Sequence, residues 1–308
     1  RTGMTIWIGI TDNAWFDFLS AMKPDEVNFW HPSGPCSFRV LQPGEIFFFK
    51  LKSPRRKIAG WARFVTHFNM PLSLAWRTFE SKNGARDFRS FSEMILRHGS
   101  DKHQERWIGC TTLNNPVFLD EDEWFDPPSN WPVTGIQQGK RYTSDDPMAA
   151  SLVEAALLSE SAVALETREL SDDDARYGSA YLTRARLGQG AFKTLVLQAY
   201  NSHCAMTGEK TLPVLEAAHI RQYAEGGPHR TSNGLLLRSD LHTLFDAGYM
   251  TVTPDYHIEV SPRIREEFNN GKEYYALHGR SLVTLPDNPT ERPSREFLDW
   301  HNQKVFGA

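Results

Sequence analysis

The decisive stretch runs from Glu216 to Asp246: Glu216-Ala217-Ala218-His219-Ile220, then Ser232-Asn233-Gly234-Leu235-Leu236-Leu237, then Leu241-His242-Thr243-Leu244-Phe245-Asp246. Leu212 to Ile220 is rich in apolar residues and reads as a strand, with Pro213 limiting how early it starts. Along a strand Leu215, Ala217 and His219 face one side while Glu216 and Ala218 face the other. The turn residues Glu225-Gly226-Gly227-Pro228 follow, and Ser232 or Asn233 stands where the next element is entered. From Asp240 the spacing of Leu241, Leu244 and Phe245 predicts a short helix, with His242 and Asp246 at i and i+4 on one face. An imidazole and a carboxylate converging in this way suit Mg²⁺, Mn²⁺, Ni²⁺ or Zn²⁺, and the pair does not choose among them.

Taken singly, each of these residues has a plain reading. A lone histidine on a strand is more often a core or surface residue, and an i,i+4 His/Asp pair is often only a surface pair. Their order, with Asn233 between them and Gly-Leu-Leu-Leu and Leu-Phe-Asp around them, resembles the HNH (ββα-metal) endonuclease family. The likeness extends upstream through Arg186-Leu187-Gly188-Gln189-Gly190-Ala191-Phe192-Lys193 and Tyr200 to Gly208, and downstream to Trp300-His301-Asn302. It implies hydrolysis of a nucleic-acid backbone at a one-metal site. His219 would be the general base, a role for which a neutral imidazole near its ordinary pKa is suited. Asn233 would pin the loop so that the base points correctly. His242 and Asp246 would hold one divalent ion per site (Mg²⁺, Mn²⁺ or Ni²⁺), which would grip the scissile phosphate and stabilise the leaving oxygen. One departure from the family pattern stands out: the residue before the base is usually a metal-ligating Asp or His, and here it is Ala218. Glu216 is the first candidate for the missing ligand and Asp240 the second.

The remaining composition sets bounds. The chain has 308 residues, enough for two domains, and a net charge of −4 that argues against indiscriminate adhesion to DNA. No apolar run approaches a membrane span, no signal peptide is evident, and Arg1-Thr2-Gly3 before Met4 reads as a remnant of cloning; a cytoplasmic bacterial protein is expected. Cys36, Cys110 and Cys204 are widely spaced with no Cys-x-x-Cys pair, which predicts buried thiols and no zinc knuckle. Between Lys50 and Arg63 there are six basic residues and no acid. Lys52, Arg55, Arg56 and Lys57 from this strip, with Arg221, are candidates for DNA-backbone contact, the alternative being a solvated hairpin turn.

The N-terminal part, residues 1–142, is a different unit, dense in aromatics. Strand character recurs over Ile6 to Ile10, Glu45 to Leu51, Ile58 to Val65 and Trp107 to Leu113, broken by Pro43-Gly44 and Ser53-Pro54, while Thr78 to His98 reads helically. Pro43-Gly44-Glu45-Ile46-Phe47-Phe48-Phe49-Lys50 followed by Lys57-Ile58-Ala59-Gly60-Trp61-Ala62 resembles the PUA-like superfamily, especially its EVE and ASCH branches. That likeness implies a reader of modified nucleobases, with an extruded base stacked on aromatics and read along its polar edge. Trp30 would stack, Asn28 and Ser37 would make polar contacts, Phe38 lies on the same rim, and Trp76 is an outside choice.

The expected architecture is therefore α+β: an N-terminal PUA-like mixed β-barrel with flanking helices, a helical and acidic linker over 143–183, and a C-terminal ββα-metal nuclease domain over 184–308. Asp145 to Leu165 supplies the helical spacing of the linker and Glu166 to Asp174 its acidic part. The combination resembles the modification-dependent restriction endonucleases, which implies a partner: double-stranded DNA bearing 5-methyl- or 5-hydroxymethylcytosine, cut by two paired protomers. Three other readings stay open at this point: an RNA-directed PUA-like nuclease, an HNH nuclease of mobile-element, homing or toxin type without a modification sensor, and a non-enzymatic nucleic-acid binder whose site decayed at Ala218.

Overall fold

The computed structural model describes residues 3–98, 106–167 and 178–307, and the chain divides into two compact units, Arg1–Ala191 and Phe192–Ala308. The first unit runs β1 (Thr5–Thr11), α1 (Asn13–Met22), β2 (Glu26–His31), β3 (Ile46–Leu51), β4 (Ile58–Pro71), α2 (Leu72–Phe79), α3 (Phe88–Leu96), β5 (Trp107–Phe118), β6 (Gly139–Thr143), α4 (Ala150–Thr167) and α5 (Ser179–Arg184). Its six strands form one sheet in the order β2-β5-β4-β3-β1-β6. The pair β1–β3 is parallel and the others are antiparallel, which gives the mixed character expected.

β3 shows why the sequence folds this way. Its six residues are all buried, so the run Phe47-Phe48-Phe49 is a central strand covered on both faces rather than an alternating one. Phe47, Phe49 and Leu51 pack with Trp15, Phe16 and Leu19 of α1. Ile46 and Phe48 pack the other way, with Ile6 and Ile8 of β1 and with Leu152, Val153 and Ala156 of α4. The helical stretch expected as a linker is thus, over its first turns, one wall of this unit. Arg63 of β4 and Glu160 of α4 add an ion pair there. Of the acidic stretch Glu166 to Asp174, the part from residue 168 on lies outside the described residues.

β4 is longer than the sequence pattern indicates, and bulges at Trp61/Arg63 and Phe64/Thr66 let it pair along nearly all of β5. Three elements were not legible as such: α1, capped by the Asp12 carboxylate, which accepts from the amides of Ala14 and Trp15; β2, which carries Asn28-Phe29-Trp30; and the edge strand β6. The helical region expected at Thr78 to His98 is split, ending one helix at Phe79 and starting another at Phe88 behind the Asp87 cap. Cys110 and Cys204 are buried free thiols as expected, and Cys36 is half-buried. Among the described residues no helix is long and apolar enough to cross a membrane.

Helix α6 (Gln189–Ala199) leads into the elements of the second unit: β7 (Leu215–His219), β8 (Gly234–Arg238), α7 (Ser239–Asp246), β9 (Met250–Val252), β10 (Ile258–Val260), α8 (Arg263–Phe268), α9 (Lys272–Tyr275) and α10 (Arg295–Lys304). β7 and β8 pair antiparallel, with Leu215 opposite Arg238 and His219 opposite Gly234, and β9 pairs with β10. Leu235, Leu236 and Leu237 of β8 are fully buried, as are Leu241 and Phe245 on the inner side of α7. This is the strand–loop–strand–helix order expected from the sequence.

Candidate functional site

The hairpin loop between β7 and β8 is long, and Asn233 holds it together. Asn233 is fully buried; its Oδ1 accepts from the Arg221 amide at 2.9 Å, and its Nδ2 donates to the carbonyls of Arg221 at 2.9 Å and Pro228 at 3.0 Å. The backbone adds Ile220 N–H to Asn233 C=O at 2.9 Å. The loop closes this tightly only because residue 227 has no side chain: a Cβ on Gly227 would stand 1.8 Å from the Arg221 carbonyl oxygen and 2.9 Å from Asn233 Nδ2. Arg221 is itself fixed, donating to the Glu225 carbonyl at 2.7 Å with its guanidinium 5.5 Å from the Trp300 ring centre.

His219 ends β7 at the base of this loop. Its ring stacks on Phe192 at 3.8 Å with an interplanar angle of 13°, and its Nε2 is buried without a hydrogen-bond partner. Burial and then the neighbouring His229 lower its pKa to about 4, with Asp246 opposing and His242 and Lys193 adding to the fall. It is therefore a neutral imidazole at neutral pH, but not one near its ordinary pKa as the sequence led us to expect: burial makes it a weaker base. The contrast with His301 is instructive. That ring stacks on Phe245 at 3.7 Å and is likewise lowered to about 4 by burial, but both its nitrogens are paired, Nδ1 with Thr251 Oγ1 at 2.7 Å and Nε2 with the Phe245 carbonyl at 3.0 Å. His301 is a satisfied core histidine; His219 has the same packing and an unused nitrogen. Buried polar atoms are nearly always paired, so an exception marks a place where function is to be sought.

His242, on α7, brings two carboxylates together. Glu216 Oε2 lies 2.7 Å from its Nδ1 and Asp246 Oδ2 3.2 Å from its Nε2. Burial works against charging this ring, but the hydrogen bonds and charges of Asp246 and Glu216 outweigh it and raise the pKa. Asp246 also accepts from Gln222 Nε2 at 3.0 Å. Among the described residues no group of three His, Cys, Asp or Glu side chains is arranged to hold a metal ion. A pair does fit one: ligand atoms bound at about 2.1 Å to a shared octahedral cation sit about 3 Å apart, close to the Nε2–Oδ2 separation, and Mg²⁺-type ions fill the remaining positions with water. Glu216, expected as a ligand, occupies another place, on the far nitrogen of His242, where a carboxylate fixes the tautomer and leaves Nε2 free to coordinate. Asp240, the second candidate for the missing ligand, is taken by Arg238 at 2.6 and 2.8 Å and by the Tyr274 hydroxyl at 3.2 Å. Ala218 is fully buried.

Sequence reasoning missed His229. Its ring centre is 5.1 Å from that of His219 and 4.4 Å from that of Tyr223, and neither of its nitrogens has a partner although both are buried. A single histidine in a polar loop carries no periodicity, and only the fold brings it to His219.

In the first unit a cavity of about 240 Å³ is lined by Ile10, Asp12, Trp15, Phe29, Trp30, His31, Lys52, His98, Gln137 and Gln138, among others. Of the five residues expected to read a base, only Trp30 reaches it. Asn28 is fully buried and donates to Asn83 Oδ1 at 2.8 Å; Phe38 packs among Trp7, Phe47 and Phe64; Trp76 packs against Phe88 and Phe91; Ser37 is exposed and away from the cavity wall. Trp30 Nε1 donates to the Asn83 carbonyl at 2.8 Å, which fixes its ring. The other aromatic walls, Trp15 and Phe29, meet edge to face at 5.4 Å, and Trp15 Nε1 is buried without a partner. The basic strip is largely self-neutralised: Lys52 lies 3.6 Å from Asp12, Arg55 forks onto Asp17 at 2.6 and 3.0 Å, and Lys57 meets Asp126 at 2.5 Å. Arg56 has no ion pair among the described residues.

Residues 204–253 match the family described as HNH endonuclease. No curated protein matches the chain. Among solved structures, ASCH from Zymomonas mobilis is 10% identical, over 48% of this chain and 94% of its own, with a TM-score of 0.31; a mutant of that protein gives 9% and 0.32. A modification-dependent TagI restriction endonuclease is 12% identical over 91% of this chain and 75% of its own, with a TM-score of 0.29. Residues 204–253, the stretch similar to the HNH endonuclease family, contain the pinned loop, its two strands and the helix that follows.

Proposed function

We propose that this protein is a modification-dependent endodeoxyribonuclease: it takes up a modified cytosine, 5-methyl or 5-hydroxymethyl, flipped from duplex DNA, and hydrolyses phosphodiester bonds at the HNH segment. The observation that carries the nuclease half is the His219 ring, stacked on Phe192 with its Nε2 buried and without a partner, in the same strand–loop–strand–helix segment as the His242–Asp246 pair. In this reading His219 removes a proton from the attacking water, and Asn233 keeps the loop, and so the base, in place. His242 and Asp246 would hold a divalent ion (Mg²⁺, Mn²⁺ or Ni²⁺), which supplies a grip on the scissile phosphate and stabilises charge on the leaving oxygen. Glu216 orients His242 from behind.

The reading half is supported by the aromatic cavity of the first unit. Trp30, Trp15 and Phe29 offer faces and edges to a base, while His31, Gln137 and Gln138 offer polar atoms for its edge. One HNH site cuts one strand per event, so breaking both strands calls for two protomers.

The deciding experiment is a cleavage panel with one plasmid prepared unmodified, 5-methylcytosine-, 5-hydroxymethylcytosine- and N6-methyladenine-bearing, with Mg²⁺ or Mn²⁺ or with EDTA. Cleavage confined to cytosine-modified plasmid, lost in EDTA and in His219→Ala, is expected. Equal cleavage of all four plasmids would reduce the reading to an HNH nuclease without a sensor, and preference for labelled RNA in competition would redirect it to RNA.

A further inference from the structure

We infer that His229 is a second substrate-contacting imidazole of this site, donating a ring N–H to a non-bridging oxygen of the phosphodiester on which His219 acts. The inference rests on the nuclease reading above and adds a residue to it.

Three buried nitrogens without partners belong to two neighbouring rings, 5.1 Å apart at their centres: Nδ1 and Nε2 of His229 and Nε2 of His219. Both nitrogens of an imidazole take part in hydrogen bonds, and His229 gives neither to a protein partner. Leaving buried donors and acceptors unmet is costly, and structures rarely tolerate it without a use. Packing accounts for the position of the ring but not for its chemistry. Tyr223 meets it edge to face at 90°, Phe192 at 68° and His219 at 66°. Phenylalanine would satisfy those contacts with no polar atoms to bury. Two apolar walls and a second imidazole therefore hold a hydrogen-bonding ring beside the base with its donor uncommitted. In the reaction assigned here the group that arrives beside the base is a phosphodiester, whose non-bridging oxygens accept hydrogen bonds and carry the charge. The ring sits in the loop that Asn233 and Gly227 close, directly after Pro228, whose carbonyl Asn233 holds.

The test has a binding arm and a rate arm. Metal-free protein with ¹⁵N-labelled histidine is titrated with a short DNA duplex while the imidazole nitrogens are followed by NMR. His229, identified by its absence in His229→Ala, is expected to shift together with His219; an unmoved His229 would overturn the inference. In single-turnover cleavage of modified duplex, His229→Ala is expected to lose about 100-fold in rate, the effect of removing one donor to developing charge, with duplex affinity nearly unchanged. His229→Gln, which keeps an N–H donor, is expected to recover much of the loss, and His229→Phe to recover none. Phosphorothioate substitution at the cut site should slow the wild type at one non-bridging position, and that effect should vanish in His229→Ala. Equal rates for wild type and His229→Ala would also refute the contact. Should the wild type cleave no duplex while its His229 resonance still shifts, the nuclease reading fails and the phosphodiester contact stands.

Discussion

Replacing Asn233 by alanine gives the sharpest test of how the HNH loop is held. The substitution deletes one acceptor and two donors, all in short hydrogen bonds at a fully buried side chain. At about 1 kcal/mol net per hydrogen bond the loop loses about 3 kcal/mol of local stability, which is roughly a hundredfold in its opening equilibrium. Native-state hydrogen exchange reads this directly, because the Arg221 amide is protected by the Asn233 carboxamide alone. Its exchange should accelerate by about that factor, while amides inside β8, bonded to β7, change far less. Asn233→Asp is the informative companion. It keeps an acceptor for the Arg221 amide but turns a second oxygen, and a charge, toward two carbonyls, so it should be at least as damaging as alanine. Acceleration of the Arg221 amide by less than about fivefold in Asn233→Ala would refute the view that this side chain organises the loop.

Two further outcomes follow from the same geometry. His219 and His301 both have folded pKa values of about 4 against an ordinary 6.5, so the unfolded chain binds protons between those pH values that the folded one refuses. Stability is full above pH 6.5, falls as pH drops toward 4 and levels off below, by up to about 3 kcal/mol per ring; His242, whose pKa is raised, acts in the opposite sense. Thermal midpoints measured across this range should show the fall, and His301→Phe should flatten it; an unchanged slope would contradict the assignment. In the first unit, Trp30→Ala should weaken binding of cytosine-modified duplex by about ten- to a hundredfold, as expected for one stacked base, with binding of unmodified duplex unchanged by anisotropy. Equal weakening of both would remove Trp30 from base reading.

Local spacing made the second unit legible. His219, Asn233, His242 and Asp246 fall in a strand, a loop and a helix that short-range pattern defines, and these elements form as expected. Glu216 was legible as a neighbour of that place but not as the partner of the far nitrogen of His242, because that depends on the pairing angle of strand and helix. The first unit was legible as aromatic strands. Its parallel β1–β3 pair and its helix α1, whose Trp15, Phe16 and Leu19 interleave with polar residues over barely three turns, were not. Asn28-Phe29-Trp30 read as the rim of a pocket and proved to be a strand buried over its first half, where Asn28 bonds Asn83, and lining the cavity over its second, through Phe29, Trp30 and His31. Phe38 and Trp76 had no sequence mark distinguishing core aromatics from exposed ones. The ion pairs Arg55–Asp17 and Lys57–Asp126 join residues far apart in the chain, and nothing local announces them.

Those ion pairs bear on how the first unit would engage a polyanion. Cations that already have carboxylate companions neutralise few phosphates and so displace few of the counterions condensed on a nucleic-acid strand. Association through this face would then depend weakly on ionic strength, with a shallow slope of log affinity against log salt concentration. If the cavity lined by Trp15 and Trp30 takes up a base as proposed, selectivity there would come from fit and not from long-range charge attraction, and it would persist at salt levels that strip ordinary basic grooves from DNA.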